Sequence, residues 1–338
     1  MIAHSMVDCL EAVTCSRRAF LTAAGALSLS SYGAPAIAQG SFASKPLRII
    51  VPFAPGGSAD LLARLLAPKM GSVLGQPAVV ENKGGAGGAL GAQAGMRADP
   101  DGHTLLFHST TLIISGLLNK KSGYDVRRDF VPVSLLTEAP LVLEIHPSVP
   151  AKTLPEFLEY AKSKGSDLFF GSAGIGSTQH LFGELFNIMA GTKMKHVPYK
   201  GNGPATGALL GGEVQVMFDI IPLARQLGET GKVRLLGVTS PKRSPSLPKV
   251  PTVDEAGVPG FRHTFWQRIF LPKGTPAPIV QQWQAAAKQA LAEPQAQAWL
   301  ADQGYTVIAS SPSELAQVMQ RDLTQWGKVI ADAGIQSE

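Results

Sequence analysis

The sequence predicts an α/β protein. Short apolar runs of strand length alternate with longer stretches whose apolar residues recur at helical spacing. The apolar runs end in glycine- and serine-bearing loops that open the next helix. Two such loops, Phe53–Asp60 and Gly171–Thr178, stand roughly 120 residues apart in the same strand–loop–helix setting, which hints at two similar half-domains.

The N-terminal residues read as a leader. Ser16-Arg17-Arg18-Ala19-Phe20-Leu21 is a twin-arginine pattern. It precedes a weakly apolar stretch from Thr22 to Pro35, and Ala36-Ile37-Ala38 is a small-x-small cleavage site. Residues 1–38 are therefore expected to be a removed signal peptide, cut after Ala38, with the mature chain exported to the periplasm. The apolar run is too short for a membrane span, which needs roughly 20 residues. No later run qualifies, so a soluble mature chain is expected. Both cysteines of the chain, Cys9 and Cys15, fall in the leader, so no disulfide is available to the mature core. The net charge of +5 is modest. It suits anionic small ligands, and no basic cluster with interleaved aromatics points to nucleic acid.

In chain order, Lys45 to Val51 reads as a strand buried on both faces. Pro-Gly-Gly then breaks the run, and Ser58 is the expected cap of a helix from about Ala59 to Val73, with Pro68 expected to kink it. The glycines and the helix start make Phe53–Asp60 a place that can hold a carboxylate or phosphate with no charged side chain. Ala78 to Glu81 is a strand, followed by the Asn82–Gly88 loop and a helix to Arg97. Gly87, Gly91 and Gly95 recur every four residues, as close packing of that helix on a sheet requires. Thr104 to Phe107 is a strand ending in His108-Ser109-Thr110-Thr111. Further expected strands are Val131–Leu136, Leu141–Ile145, Leu168–Phe170, Lys195–Tyr199, Val214–Phe218, Val233–Val238 and a short Tyr305–Ile308. Helices are expected at Leu154–Lys162, Gln179–Met189, Pro278–Ala292 and Ser313–Ala333, and all strands read as parallel-type.

Most catalytic signatures fail. No G-x-S-x-G elbow, P-loop or complete dinucleotide fingerprint occurs, and the histidines lack zinc-ligand spacing, so no cofactor and no metal is expected. Asp219 lies at the C-terminal edge of an apolar strand, where open α/β sheets bind ligands, although a cap or turn role fits equally. His180 sits one turn into the helix behind the second loop. A Ser/His hydrolase using Ser177 or Ser58 with His180 is the rival from another class, and a sensor serving a membrane signalling partner is a second.

Several segments in order carry a family resemblance: Lys45–Phe53 with Gly56-Gly57-Ser58-Ala59-Asp60; Val80–Gly88; Pro100–Leu106; Ser172-Ala173-Gly174; His196–Gly201; Met217-Phe218-Asp219; and Val250–Gly257. With these, the chain resembles the Bug (TctC-like) periplasmic receptors of tripartite tricarboxylate transporters. The resemblance implies a type II periplasmic-binding fold, non-enzymatic, with a ligand cleft between two α/β domains. It implies a discontinuous first domain, 44–142 plus 265–338, and a second at 143–264, with crossings near Leu141–His146 and Phe261–Phe270. The implied ligand is a small carboxylate, the implied partners are membrane permease subunits, and a monomer is expected. By position, Phe53, Pro55, Gly56, Gly57, Ser58 and Asp60 form one jaw, with Ser109 and Thr110 beside them. Ser172, Ala173, Gly174, Ser177, His180 and Asp219 form the other, with Tyr199 at its margin. The chain departs from the family at Pro68, at His108 and at Gln267-Arg268. Arg268 either pairs with a second ligand carboxylate or lies solvated on the surface.

Overall fold

The computed structural model describes residues 42–119 and 122–336. The expected leader and both cysteines lie outside them. Eleven strands and ten α-helices are numbered here among the described residues. The strands are β1 (Leu47–Val51), β2 (Ala78–Asn82), β3 (Thr104–Ser109), β4 (Phe130–Ala139), β5 (Leu141–Ile145), β6 (Phe169–Ser172), β7 (Lys195–Pro198), β8 (Val216–Ile220), β9 (Arg234–Val238), β10 (Phe265–Pro272) and β11 (Thr306–Val307). The helices are α1 (Ser58–Leu74), α2 (Ala89–Met96), α3 (Thr111–Leu118), α4 (Leu154–Lys164), α5 (Thr178–Ala190), α6 (Asn202–Leu210), α7 (Ile221–Glu229), α8 (Ala277–Leu291), α9 (Pro294–Asp302) and α10 (Pro312–Asp332).

Two sheets organise the chain. One has the order β11-β4-β10-β3-β1-β2 and the other β7-β6-β8-β5-β9. The chain passes from the first to the second at Pro140 and returns between Val238 and Phe265. The expectation of parallel strands throughout needs correction at these passages. β10 runs antiparallel to β3 and β4, and β5 runs antiparallel to β8 and β9. A strand that enters a lobe from its neighbour arrives without a crossover helix, so nothing obliges it to run parallel.

The first sheet is buried on both faces. Leu47, Ile49 and Val51 pack with Phe107 and Ile269 against α1 and α8, where Trp283 is fully buried and donates its indole N–H to the Gly102 carbonyl at 2.8 Å. A large apolar side chain buried this way contributes about 1.5–3 kcal/mol. On the opposite face α2 lies close because it carries glycines there. A Cβ on Gly91 would sit 2.5 Å from the Pro52 side chain, and one on Gly95 would sit 3.0 Å from Leu106. α1 continues through Pro68 without interruption and stops at Gly75, whose φ of 82° is the left-handed cap conformation. Helices α7 and α9 were not anticipated. Both are nine residues long with proline in the first turn, so their apolar periodicity spans barely two turns. α10 joins the lobes, with Trp326 stacked on Phe182 of α5 at 5.8 Å between ring centroids.

Candidate functional site

The first loop is held from behind and open in front. Ala54 to Gly57 are exposed, Phe53 is half-buried and Asp60 is 2% exposed. Asp60 Oδ2 accepts the Gly56 N–H at 2.9 Å, and Oδ1 accepts Arg64 Nε and Asn82 Nδ2, each at 2.9 Å. Asn82 also donates to the Phe53 carbonyl at 3.0 Å and accepts from Arg64 Nη2 at 2.8 Å, closing a network of three side chains and two backbone groups. Burial alone would raise the Asp60 carboxyl. The Arg64, Gly56 and Asn82 hydrogen bonds outweigh it and hold the carboxyl below its ordinary value. Ser58 is not the cap that was expected. Gly57 occupies the N-cap position with no side-chain cap bond, and Ser58 is the first helical residue. The first-turn N–H groups of α1 are thus left without a side-chain acceptor. Pro55 stands exposed at the loop tip.

Behind this loop, Phe53 packs edge-to-face on His108 at 5.4 Å, and Gly88 lies against both rings. His108 is fully buried. Its Nδ1 accepts the Ser109 N–H at 2.9 Å, so the neutral ring carries its proton on Nε2. Burial, with the nearby Arg268 charge, pushes its pKa down to about 3. Ser109 Oγ lies 2.8 Å from Thr111 Oγ1, and Thr110 Oγ1 accepts the Trp266 N–H at 3.1 Å. Arg268 takes neither position foreseen for it. It is 1% exposed, its guanidinium pairs with Asp322 of α10, and it lies over the Trp266 ring at 5.6 Å. Strand pairing explains this, since Arg268 stands opposite His108 in the sheet interior.

The second loop is braced by side chains underneath it. Ser172 is fully buried at the end of β6. Its Oγ lies 2.6 Å from His196 Nε2 and accepts the Gly174 N–H at 3.1 Å. Ala173 and Gly174 are half-buried. Ser177 caps α5 by accepting the His180 backbone N–H, and His180 Nδ1 accepts the Gly176 N–H at 3.1 Å. His180 and His196 stack at 3.7 Å between centroids, with Phe170 beside them. Burial holds both rings neutral, His180 at about 4 and His196 at about 3, with the neighbouring ring adding to the second shift. His196 was not among the expected site residues. Its role emerges only from the pairing of β6 with β7, which sets Phe170 against His196.

Asp219 is fully buried and accepts from Asn202 Nδ2 at 3.0 Å and from the Ile220 N–H at 2.7 Å. Burial raises its carboxyl, and these bonds with Thr206 oppose the rise. Gln179 of α5 donates to Asn202 Oδ1 at 2.6 Å, so the second loop's helix and Asp219 share one network.

The two lobes face each other across a groove of about 450 Å³. Gly87, Ser115 and Leu118 line one side, and Gly174, Gly176, Tyr199 and Lys200 line the other. Of the expected site residues, the groove wall holds Gly174 and Tyr199. Phe53–Asp60 adjoins the Gly84–Gly88 turn without lining the groove, Ser172 and His180 hydrogen-bond the second loop, and Asp219 reaches it through Asn202 and Gln179. Arg64, Asn82, Gln179, Asn202 and His196 escaped sequence reasoning. Asn82 and His196 lie inside segments that carried the resemblance, whereas Arg64, Gln179 and Asn202 lie outside them.

The arrangement leaves the first-turn N–H groups of α1 as main-chain donors, whereas the Gly56, Gly174 and Gly176 N–H groups are taken up by Asp60, Ser172 and His180. Ser177 does not face His180 as a nucleophile faces a base, because its hydroxyl binds the His180 backbone and the ring binds Gly176. Among the described residues no cluster of three or more His, Cys, Asp or Glu could hold a metal. Among them, too, no helix is long and apolar enough to cross a membrane.

Two α/β lobes joined by antiparallel passage strands, with glycine loops and a groove between them, define a periplasmic-binding-protein fold of the two-domain type. The chain belongs to the TctC family, the tripartite tricarboxylate transporter family receptors, which it matches over residues 62–335. It is 34% identical over 300 residues to the protein BugT of Bordetella pertussis, covering 88% of this chain and 92% of that one. Among solved structures, it is similar to an adipate-bound protein of Rhodopseudomonas palustris, with TM-score 0.78 and 33% identity over 87% of this chain and 98% of the other. It is likewise similar to malate-bound MatC from the same organism, with TM-score 0.75 and 38% identity over 85% and 99% of the two chains.

Proposed function

We propose that this protein is an exported receptor that captures a small carboxylate between its lobes and delivers it to the permease of a tripartite tricarboxylate-type transporter. The expected leader over residues 1–38 supplies export, and the lobes correspond to 44–142 plus 265–338 and to 143–264. The observation that carries the reading is the first loop. A charge-compensated carboxylate, Asp60, fixes its backbone, while the uncapped start of α1 leaves oriented N–H donors beside exposed glycines. That design suits an anion. Phe53, Pro55, Gly56, Gly57 and Ser58 form one jaw in this reading. Ala173, Gly174 and Tyr199 form the other, with Ser172, Ser177, His180 and Asp219 shaping it from below and Ser109 and Thr110 fixing the floor. Arg268 is left out, since its charge is already matched by Asp322.

Relatives with bound malate and adipate support the ligand class. Closure about the passage strands follows if the ligand prefers the closed form through contacts with both loops. Thermal unfolding against a panel of mono-, di- and tricarboxylates tests the reading. A ligand at a hundred times its Kd adds about 2.7 kcal/mol and raises the midpoint by several degrees. A panel in which no carboxylate shifts the midpoint refutes it.

A further inference from the structure

Glu144 lies within β5, in the interior of the second sheet. It is 0% exposed, and neither carboxyl oxygen has a hydrogen-bond partner. β5 and β8 pair with Val142 opposite Asp219 and Glu144 opposite Met217. Glu144 and Asp219 are therefore diagonal neighbours on one face of the sheet. That face is covered by α6 and α7 and is otherwise apolar, with Met217, Leu209, Ala205 and Leu235 packed together. The charged residues of the covering elements are turned elsewhere or carry no bond to the pair. Arg225 of α7 binds Asp302, Arg234 of β9 donates to the Val149 and Ala151 carbonyls, and Glu229 closes the far end of α7. Among the described residues no Lys, Arg or His binds either carboxyl.

Diagonal neighbours lie about 7–8 Å apart, and in an apolar interior burial and the Asp219 charge together oppose ionisation of Glu144. Asp219 has donors from Asn202, Thr206 and the Ile220 backbone, so the charge resides there. Glu144 has none, so it holds the proton. The same Asn202 ties Asp219 through Gln179 to the start of α5, directly after the second loop.

We propose that Glu144 and Asp219 form a proton-holding carboxyl pair at the base of the second loop, and that capture of an anionic ligand there takes up a proton from solvent onto Asp219. This rests on the reading of the protein as a carboxylate receptor. Asn202 and Gln179 link Asp219 to the helix that follows the second loop, so a negative charge bound at that loop repels the Asp219 carboxylate beneath it. Protonating Asp219 to a neutral acid removes that repulsion, with hydronium giving up the proton and leaving water. In the limit of one proton per ligand, affinity rises tenfold for each pH unit lowered.

Two measurements on the full chain test this. The first needs no ligand. Infrared spectra at neutral pH should show the carbonyl stretch of a protonated carboxylic acid, lost in Glu144→Gln. If that band is absent, or persists unchanged in the variant, the pair does not hold a proton and the proposal falls. The second is calorimetry with malate and with adipate, in two buffers of different ionisation enthalpy, at a pH above the ligands' own titrations. The wild type should take up a substantial fraction of a proton. Asp219→Asn should take up none, and Glu144→Gln, which keeps the neutral shape, should change the uptake. Ligand binding without proton uptake, or uptake unchanged in both variants, overturns the coupling. A protein that shows the infrared band yet binds no carboxylate in the panel keeps the pair and refutes the receptor reading instead.

Discussion

Asp60 offers the sharpest test of how the first loop is held. Replacing it with asparagine keeps the shape and removes the charge. The wild-type carboxylate accepts three hydrogen bonds, from Gly56, Arg64 and Asn82, and gives none. An asparagine must turn its NH2 toward at least one of those donors, which leaves an unmatched donor in a site where Asp60 is 2% exposed. That mismatch costs about 1–3 kcal/mol. The lost attraction to Arg64 adds little, because the Arg64 side chain is 50% exposed and well screened. The expected loss is therefore about 2 kcal/mol, or a fall in melting midpoint of about 3 °C for a chain of this size. Asp60→Ala removes the bonds without setting donor against donor, and water can reach Gly56 and Arg64 in its place. Asparagine should then be at least as damaging as alanine. The assay is thermal and urea unfolding of the three proteins, with calorimetry using malate alongside. Both variants should bind at least tenfold more weakly if the loop backbone forms the anion site. Equal stability of Asp60→Asn and wild type, with alanine the worse variant, refutes the donor accounting. Unchanged affinity in both refutes the loop's role in binding.

Other perturbations follow from the same geometry. His108, His180, His196 and His263 are held neutral by burial at about 3, 4, 3 and 4, below the ordinary 6.5. Depressed histidines in the fold contribute stability that is complete above 6.5 and is lost as pH falls toward these values. Each contributes up to about 1.4 kcal/mol per pH unit. Urea midpoints should drop steeply between about pH 6.5 and 4, and His263→Gln should flatten the slope by about one proton's worth; a slope unchanged in that variant contradicts the assignment. Asp322→Ala strands the Arg268 charge in the interior and should cost about 3–5 kcal/mol, whereas Arg268→Met with Asp322→Leu should restore most of it, as chemical denaturation would show. Gly183→Ala places a methyl group 2.2 Å from the Phe170 ring, which is wedged against the stacked histidines, and should lower stability by about 1–3 kcal/mol; a neutral result would mean that α5 can shift on β6.

The loops were legible in the sequence because their chemistry is local. A glycine-bearing break after Val51, followed by a helical pattern, specifies an exposed donor-rich turn whatever surrounds it. The same holds for Gly171–Thr178, where Ser177 caps the helix as its spacing allows. The glycines at 91 and 95 announced close packing, and their clearances of 2.5 and 3.0 Å agree. Ser58 misled because serine is a favoured cap by residue type, yet the turn places Gly57 at that position. Helices α7 and α9 were missed because nine residues with an initial proline give periodicity too little room to register.

The α/β class, the two glycine-bearing loops and the family are legible in the residues alone, since each rests on residues adjacent along the chain or on motif order. Tertiary structure alone decided which polar residues brace those loops. Asn82 reaches Asp60 across 22 positions, His196 reaches Ser172 across 24, and Arg268 finds Asp322 across 54. Those partnerships are set by strand register and helix docking, which bring distant residues together after the chain has folded. A residue's type shows that it needs a partner in the interior, and only the packed sheet shows which one it has.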